Sequence, residues 1–210
     1  MNTFIFDLDG TLIDSKVDIV NSFNLAIKEV LNPNEVKDPV SYIGYSVKEM
    51  VLNLYPDTSK TEVDEIITKF RFIYDNSYFP NTRLFTDSIK VLNKLKNENK
   101  RIFLLTNKPS TATIPILKKL SILDYFESII TRDVNIKKNK SELLKELIIN
   151  NNLVKNDTLL IGDTEIDVFA ANENNLKVAI VKNGYGDYSK ILKLKPDYII
   201  ENIGDLINLI

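Results

Sequence analysis

The sequence lacks three residue types that carry much of enzyme chemistry: its 210 residues include no cysteine, no histidine and no tryptophan. The absence of cysteine excludes disulfides, thiol nucleophiles and Cys-bound zinc. The absence of histidine excludes a Ser-His-Asp triad, imidazole acid–base catalysis and His-ligated metals. Any catalysis must therefore use carboxylates, lysine, hydroxyl or backbone groups, and any metal must be a hard cation bound by oxygen, such as magnesium.

Neither sign of charge dominates the chain. The 27 Lys and Arg residues against 29 Asp and Glu residues give a formal net charge of -2, so composition gives no reason to expect nucleic acid or an anionic membrane as a partner. No apolar run approaches the roughly 20 residues that span a bilayer. The start, Thr3-Phe4-Ile5-Phe6-Asp7, lacks the basic segment of a secretory signal. We expect a cytoplasmic protein, and the sequence leaves open whether it is a monomer or a homodimer.

The order of the apolar patterns predicts an α/β fold. Phe4-Ile5-Phe6 predicts a buried first strand, and from about residue 17 to 79 apolar residues recur at helical spacing. After Pro80, helical stretches alternate with short strands that are apolar along their whole length, as is typical of a parallel sheet covered on both faces. We therefore predict a Rossmann-like doubly wound parallel sheet as a core (residues 1–14 and 81–210), with an inserted α-helical cap domain (residues 15–80).

Acidic and hydroxyl side chains follow three of the predicted strands. They are Asp7, Asp9 and Thr11 after the first strand, Thr106 and Asn107 after the strand ending at Leu105, and Asp163, Thr164 and Asp167 after the strand ending at Ile161. In doubly wound sheets ligands bind beyond the carboxyl ends of the strands, so these groups predict one site. Crowded carboxylates repel each other unless a cation compensates, and Mg²⁺ bound by carboxylates and by a substrate phosphate fits them.

Four motifs in this order resemble the signatures of the haloacid dehalogenase-like phosphohydrolase superfamily. They are Asp7-Leu8-Asp9-Gly10-Thr11-Leu12, Leu105-Thr106-Asn107-Lys108-Pro109, a lysine near Lys140, and Gly162-Asp163-Thr164-Glu165-Ile166-Asp167. The helical insertion after the first motif is similar to the cap of the phosphoglycolate phosphatase-like branch. The resemblance covers essentially the whole chain.

The resemblance implies roles for five of the matched acidic and hydroxyl residues. Asp7 would attack phosphorus and form an aspartyl-phosphate, and Asp9 would protonate the leaving alcohol and then activate water. Thr106 would hold the transferring phosphoryl group. Asp163 would bind magnesium beside Asp7 and the main-chain carbonyl of Asp9, and Asp167 would orient these metal ligands.

The position of the site lysine departs from the pattern of many relatives. They place it in a Lys-Pro pair, but no proline follows Lys137, Lys138 or Lys140. Lys140 matches a variant in which the lysine opens the next helix, so we assign the role to Lys140 and keep Lys137 as the alternative. This lysine would neutralise charge on Asp7 and on the phosphoryl oxygens.

The insertion contains a loop, Tyr42–Ser46, that interrupts the helical pattern. By the resemblance, Gly44 and Tyr45 in this loop would contact substrate, as would Thr11 and Asn107 in the core. Arg71 and Arg83 are more simply expected in water than against a substrate carboxylate. We expect the aromatic side chains around the last insertion helix to pack in the interior of the cap: Phe70, Phe72, Tyr74, Tyr78 and Phe79.

These observations predict a magnesium-dependent phosphatase. Its substrate would be a small phosphate monoester, such as a phosphoglycolate-like compound, a sugar phosphate or a nucleotide. The alternatives within the same chemistry are a phosphomutase of the β-phosphoglucomutase type, against which the absence of histidine weighs, and an inorganic pyrophosphatase. A phospho-accepting signalling domain shares the magnesium-dependent aspartate, but it is much shorter and lacks a helical insertion.

Overall fold

The computed structural model describes residues 1–133 and 137–209, and these form a parallel sheet with helices around it. In chain order the strands and α-helices are β1 (Thr3–Phe6), β2 (Ile13–Asp14), α1 (Lys16–Val30), α2 (Val47–Leu54), α3 (Lys60–Asp75), β3 (Arg83–Leu84), α4 (Ser88–Asn97), β4 (Arg101–Thr106), α5 (Ser110–Lys119), β5 (Ser128–Thr131), α6 (Lys140–Asn150), β6 (Thr158–Gly162), α7 (Glu165–Asn174), β7 (Lys177–Val181), α8 (Tyr188–Lys193) and β8 (Tyr198–Ile200). Short 3₁₀ helices cover Val40–Tyr42, Leu123–Tyr125, Lys155–Asp157 and Ile203–Asn208.

Six parallel strands form the sheet in the order β5-β4-β1-β6-β7-β8. The central strand, β1, is buried at all four positions, and its side chains alternate between two apolar clusters. Phe4 and Phe6 belong to one cluster and Ile5 to the other, so helices cover both faces of the sheet. The predicted α/β fold with a doubly covered parallel sheet is confirmed.

The helical insertion is joined to the sheet by a two-stranded antiparallel ribbon. β2 pairs with β3, with Asp14 opposite Arg83, so both connecting segments run side by side. The buried carboxylate of Asp18 also accepts hydrogen bonds from the Asn81 main-chain N–H (3.0 Å) and the Thr82 hydroxyl (2.7 Å). The ribbon lies at the borders expected for the cap, although the domain limits themselves stay a prediction.

Local sequence signals account for the starts of several helices. Ser46 with Glu49 and Ser59 with Glu62 form capping boxes at α2 and α3, and Asn139 with Glu142 does the same at α6. In each box the side chains satisfy main-chain N–H groups that the first helical turn leaves unpaired. The last of these boxes fixes where Lys140, the first residue of α6, enters the structure.

The aromatic residues around α3 divide between interior and surface. Phe70, Tyr74 and Phe79 are buried, as expected, but Phe72 is 71% exposed and Tyr78 is 86% exposed. The prediction that these two residues pack in the cap interior is therefore wrong. Phe72 lies two residues, about 200° of helical rotation, from both Phe70 and Tyr74, so it points away from their face. Tyr78 follows the end of α3 in a left-handed conformation (φ 56°).

No helix in residues 1–133 and 137–209 is both long enough and apolar enough to cross a membrane.

Candidate active site

The predicted site residues meet at the carboxyl edge of three adjacent strands. Asp7 directly follows β1, Thr106 ends β4, and Asp163 directly follows β6. β1 lies between the other two strands, with Phe6 opposite Leu104 on one side and Ile161 on the other. The parallel arrangement therefore delivers residues from distant parts of the chain to one point.

Asp7, Asp163 and Asp167 form a buried group of carboxylates, called here the acidic cluster. Their ligand atoms all lie within 4.8 Å of one another. The Lys140 ammonium contacts Asp7 Oδ1 at 2.5 Å and Asp167 Oδ1 at 2.7 Å. Lys137 is exposed, so the structure brings Lys140, and not Lys137, to Asp7.

Neighbouring groups hold two members of the acidic cluster in place. The Thr11 hydroxyl donates to Asp163 Oδ1 (3.0 Å), and the Tyr185 N–H donates to Asp163 Oδ2 (2.7 Å). Asp167 Oδ2 accepts from the main-chain N–H and the hydroxyl of Thr164 at 3.0 and 2.7 Å. Thr11 is fully buried, so its hydroxyl positions a carboxylate, and its expected contact with substrate stays a prediction.

The electrostatics of the acidic cluster favour a bound cation. Burial, opposed by Lys140 and reinforced by Asp167, raises the pKa of Asp7 to about 7, and burial with the charge of Asp7 raises the pKa of Asp163 well above its usual value. Burial lowers the pKa of Lys140, but the charges of Asp167 and Asp7 together outweigh it and raise the pKa. The cluster has three carboxylates and only one ammonium to balance them, so it favours a further cation. All of its ligand atoms are oxygens, which are the donors that Mg²⁺ prefers.

Asp9 lies outside the acidic cluster and makes its own ion pair. Its Oδ2 lies 3.1 Å from the Lys108 ammonium, and the Ser15 hydroxyl donates to its Oδ1. Lys108 also donates to the hydroxyl of Tyr74 from α3 (2.8 Å). Burial lowers the pKa of Lys108, but Asp9 and Tyr74 outweigh it and raise the pKa. Lys108 belongs to the second motif, but no local signal in the sequence indicates its ion pair with Asp9.

The loop of the insertion reaches the core through hydrogen bonds. Gly44, at φ +102°, accepts from the Asn107 side-chain amide (2.8 Å) through its carbonyl, and the Tyr45 hydroxyl donates to Glu165 Oε1 (2.7 Å). Among the described residues Asn107 Oδ1 is buried without a partner. Gly44, Tyr45 and Asn107 all line the cavity over Asp7, so their contact with substrate stays a prediction.

A cavity of about 270 Å³ lies between the strand ends and the insertion, and Asp7, Asp9 and Thr106 line it together with residues of α1, α2 and α3. Arg71 also lines it, and its side chain is 17% exposed and paired with Asp75 at 3.0 Å. The expectation that Arg71 lies in water is therefore wrong, because α3 turns it toward α5. Arg83 is 76% exposed, as expected.

Known proteins similar to this chain are hydrolases that act on phosphate compounds, as their names state. The family model for haloacid dehalogenase-like hydrolases matches residues 4–181. A phosphoglycolate phosphatase from Nitrosospira multiformis is 27% identical over 98% of this chain and 94% of its own length. Pyrophosphatase PpaX from Bacillus thuringiensis is 26% identical over 99% of this chain and 95% of its own length.

A solved structure supports the same fold. A haloacid dehalogenase-like family hydrolase from Streptococcus pneumoniae has a TM-score of 0.88 at 23% identity, over 100% of this chain and 98% of that one. At this identity the likeness concerns the fold. The predicted enzyme class, a phosphatase, is confirmed by the family model and the relatives. The chain belongs to the haloacid dehalogenase-like hydrolase family.

Proposed function

We propose that this chain is a magnesium-dependent phosphatase that hydrolyses a small phosphate monoester through an aspartyl-phosphate on Asp7. The observation that carries the proposal is the contact of Lys140 with both Asp7 and Asp167, beside Asp163, at the point where Asp7 lines the cavity. Paired in this way, Asp7 faces a site that can hold a phosphoryl group next to a cation.

Two residues divide the covalent and proton-transfer work. A carboxylate oxygen of Asp7 forms a bond to phosphorus while the ester P–O bond breaks, and Asp9 gives its proton to the departing oxygen. In the second step Asp9 takes a proton from water, whose oxygen attacks phosphorus. The bond to Asp7 breaks and inorganic phosphate is released.

The surrounding residues bind and neutralise the phosphoryl group. The Thr106 hydroxyl accepts a hydrogen bond from the main-chain N–H of Lys108 (3.1 Å). The hydroxyl proton of Thr106 is therefore free to be donated to a phosphoryl oxygen. Lys140 offsets negative charge on Asp7 as the phosphoryl group arrives. Asp7, Asp163 and the main-chain carbonyl of Asp9 would hold Mg²⁺, with Asp167 orienting them. When bound, the ion supplies positive charge to the phosphoryl oxygens.

Phosphate release from a panel of phosphorylated metabolites, with and without Mg²⁺, tests this proposal. Asp7→Asn should lower kcat/KM by about 10⁴-fold or more, because the amide is a poor nucleophile. Asp57→Asn, at an exposed position, is the matched control and should retain wild-type activity. A folded Asp7→Asn variant within tenfold of wild type would show that Asp7 is not the nucleophile.

Pyrophosphate belongs in the same panel, because relatives at 26% identity are named pyrophosphatase PpaX. A kcat/KM for pyrophosphate above that of every monoester would favour this second candidate. The expected cytoplasmic location, the lack of a nucleic-acid partner and the monomeric or homodimeric state stay predictions from the sequence.

A further inference from the structure

We propose that the cavity selects phosphate monoesters whose leaving group is an apolar group of about one ring, in preference to small substrates that carry a second anionic group. This inference rests on the proposed function, since it concerns the part of the substrate that leaves. It is carried by the composition of the cavity wall and by the ion pairs in that wall.

The three helices of the insertion contribute an apolar surface, called here the cap wall. It consists of Ile19 from α1, Val47 and Met50 from α2, and Ile67 and Phe70 from α3, all of which line the cavity. Ile19, Met50 and Phe70 are buried, whereas Val47 and Ile67 are half-buried. An occupant that covers this wall removes apolar surface from water, which favours an apolar group there.

The cations on the cavity lining are largely neutralised by carboxylates of the protein itself. Arg71 pairs with Asp75 (3.0 Å) and also contacts the Thr111 hydroxyl. A second anionic group on the substrate would have to compete with Asp75 for this guanidinium.

Two further cations of the lining follow the same pattern. Lys108 pairs with Asp9 (3.1 Å), and Arg132 lies 3.7 Å from Glu49. Lys48 lines the cavity too, but it is exposed to solvent, where water screens its charge. Burying a second anion against the cap wall would therefore leave it without a dedicated partner, which is costly.

The size of the cavity limits the leaving group. Its volume of about 270 Å³ is at the small end of ligand sites, and the phosphoryl group takes part of it. Covering one aromatic ring against an apolar wall corresponds to about a 10- to 100-fold gain in kcat/KM over a two-carbon leaving group.

Matched substrates test the inference in the presence of Mg²⁺. Benzyl phosphate and ethyl phosphate have leaving groups of similar basicity but different apolar area, and phosphoglycolate adds a carboxylate to a two-carbon leaving group. We expect kcat/KM for benzyl phosphate to exceed that for ethyl phosphate by at least tenfold, and to exceed that for phosphoglycolate as well.

Variants of the cap wall test whether these side chains cause the preference for benzyl phosphate over ethyl phosphate. Ile67→Ser should lower the benzyl-to-ethyl ratio about fivefold or more. Val47→Thr, which keeps the shape of the side chain and adds a hydroxyl, should lower the ratio in the same direction. Phe72→Ala is the matched control on α3, because Phe72 points to solvent, and it should leave kcat/KM for both esters unchanged.

The outcomes separate this inference from the proposed function. A benzyl-to-ethyl ratio near one, or a preference for phosphoglycolate or pyrophosphate, would overturn the inference while Asp7-dependent phosphate release still supported the phosphatase. Phosphate release from none of the substrates would overturn both. A ratio above ten that Ile67→Ser and Val47→Thr reduce and Phe72→Ala does not would support the inference.

Discussion

Asp7 of the acidic cluster and the side chains of the cap wall line the same cavity, but the acidic cluster is charged and the cap wall is apolar. Asp7 and Asp167 share one buried lysine through contacts of 2.5 and 2.7 Å, whereas the cap wall presents side chains such as Met50 and Ile67 that make no polar contact. The first region fixes charges at set positions, as a phosphoryl transfer requires. The second region offers apolar surface to a ligand but no charge or hydrogen bond that would fix the ligand's orientation. The difference suggests that the core sets the reaction and the insertion sets the preferred substrate.

The largest loss of activity is expected when Lys140, which pairs with the acidic cluster, is replaced. Lys140→Met leaves three neighbouring carboxylates without their cation, and breaking a buried ion pair costs about 3–5 kcal/mol. We expect kcat/KM to fall by about 10³-fold and the free energy of unfolding to decrease by about 3 kcal/mol. Phosphate release and urea-induced unfolding measure the two effects.

Lys138→Met is the control for this change. Lys138 is exposed and pairs with Glu146, and pairs of this kind contribute about 0–1 kcal/mol. Near wild-type activity in Lys140→Met, or a greater loss of activity in Lys137→Met, would show that Lys140 is not the site lysine.

The pH dependence of stabilisation by Mg²⁺ tests whether Asp7 of the acidic cluster binds the metal. Without metal the pKa of Asp7 is about 7 in the folded chain, against 3.8 as its ordinary value. The folded state therefore binds this proton more tightly than the unfolded state. The resulting stabilisation is complete below about pH 4 and is lost as the pH rises through about 7. Mg²⁺ binds the ionised carboxylate, so it should stabilise the fold more at pH 8 than at pH 5.5.

Thermal unfolding with and without Mg²⁺ measures this difference. At a concentration 100 times the dissociation constant at pH 8, binding contributes about 2.7 kcal/mol. Proton competition at pH 5.5 should reduce that contribution to about 0.8 kcal/mol at the same concentration. Asp57→Asn should behave like wild type. Equal increases in Tm at both pH values would contradict the assignment of Asp7 as a ligand.

The acidic cluster was predictable from the sequence because two of its members directly follow strands and the third lies in the first turn of the next helix. Asp7 and Asp163 occupy the first position after a strand, where the parallel sheet alone decides their place. Asp167 lies one helical turn beyond Thr164, so a local capping box fixes it. Lys140 is similar, because the box of Asn139 and Glu142 begins its helix.

The sites of long or cap-borne side chains were not predictable in the same way. The Lys108 ammonium contacts both Asp9 and Tyr74, which lies 34 residues away, and no local sequence pattern specifies these contacts. The contacts of Arg71 could not be read from the sequence, because a helical period indicates the faces of a helix but not the element that packs against each face. The bond from the Thr11 hydroxyl to Asp163 joins residues 152 positions apart, so the local sequence does not indicate it.

Lys108 joins the core to the insertion, because its ammonium contacts both Asp9 and Tyr74. Lys108→Met leaves Asp9 with Ser15 as its side-chain partner among the described residues, so the acid is held less firmly. We expect kcat for ethyl phosphate to fall about 10- to 100-fold, as for a misplaced general acid. Because 4-nitrophenolate leaves without needing a proton, the loss for 4-nitrophenyl phosphate should be several-fold smaller.

Lys118→Met, an exposed position on α5, is the control for Lys108 and should leave both rates unchanged. Equal losses for the two substrates in Lys108→Met would indicate a general structural defect and contradict a positioning role at Asp9.

The smallest expected effect concerns the hydrogen bond that ties the insertion loop to α7. Tyr45→Phe removes the hydroxyl that donates to Glu165 Oε1 (2.7 Å) and keeps the ring that lines the cavity. Hydrogen bonds to charged groups contribute about 1.5–3 kcal/mol, and partial exposure of this one reduces that to about 1 kcal/mol. Since the bond joins the insertion to the core and touches no reacting atom, KM should rise about fivefold with kcat changed less than twofold. Tyr78→Phe, on an exposed side chain, should change neither constant. A fall in kcat without a change in KM would instead place the Tyr45 hydroxyl in the chemical step, and the insertion would then take part in the reaction as well as in substrate choice.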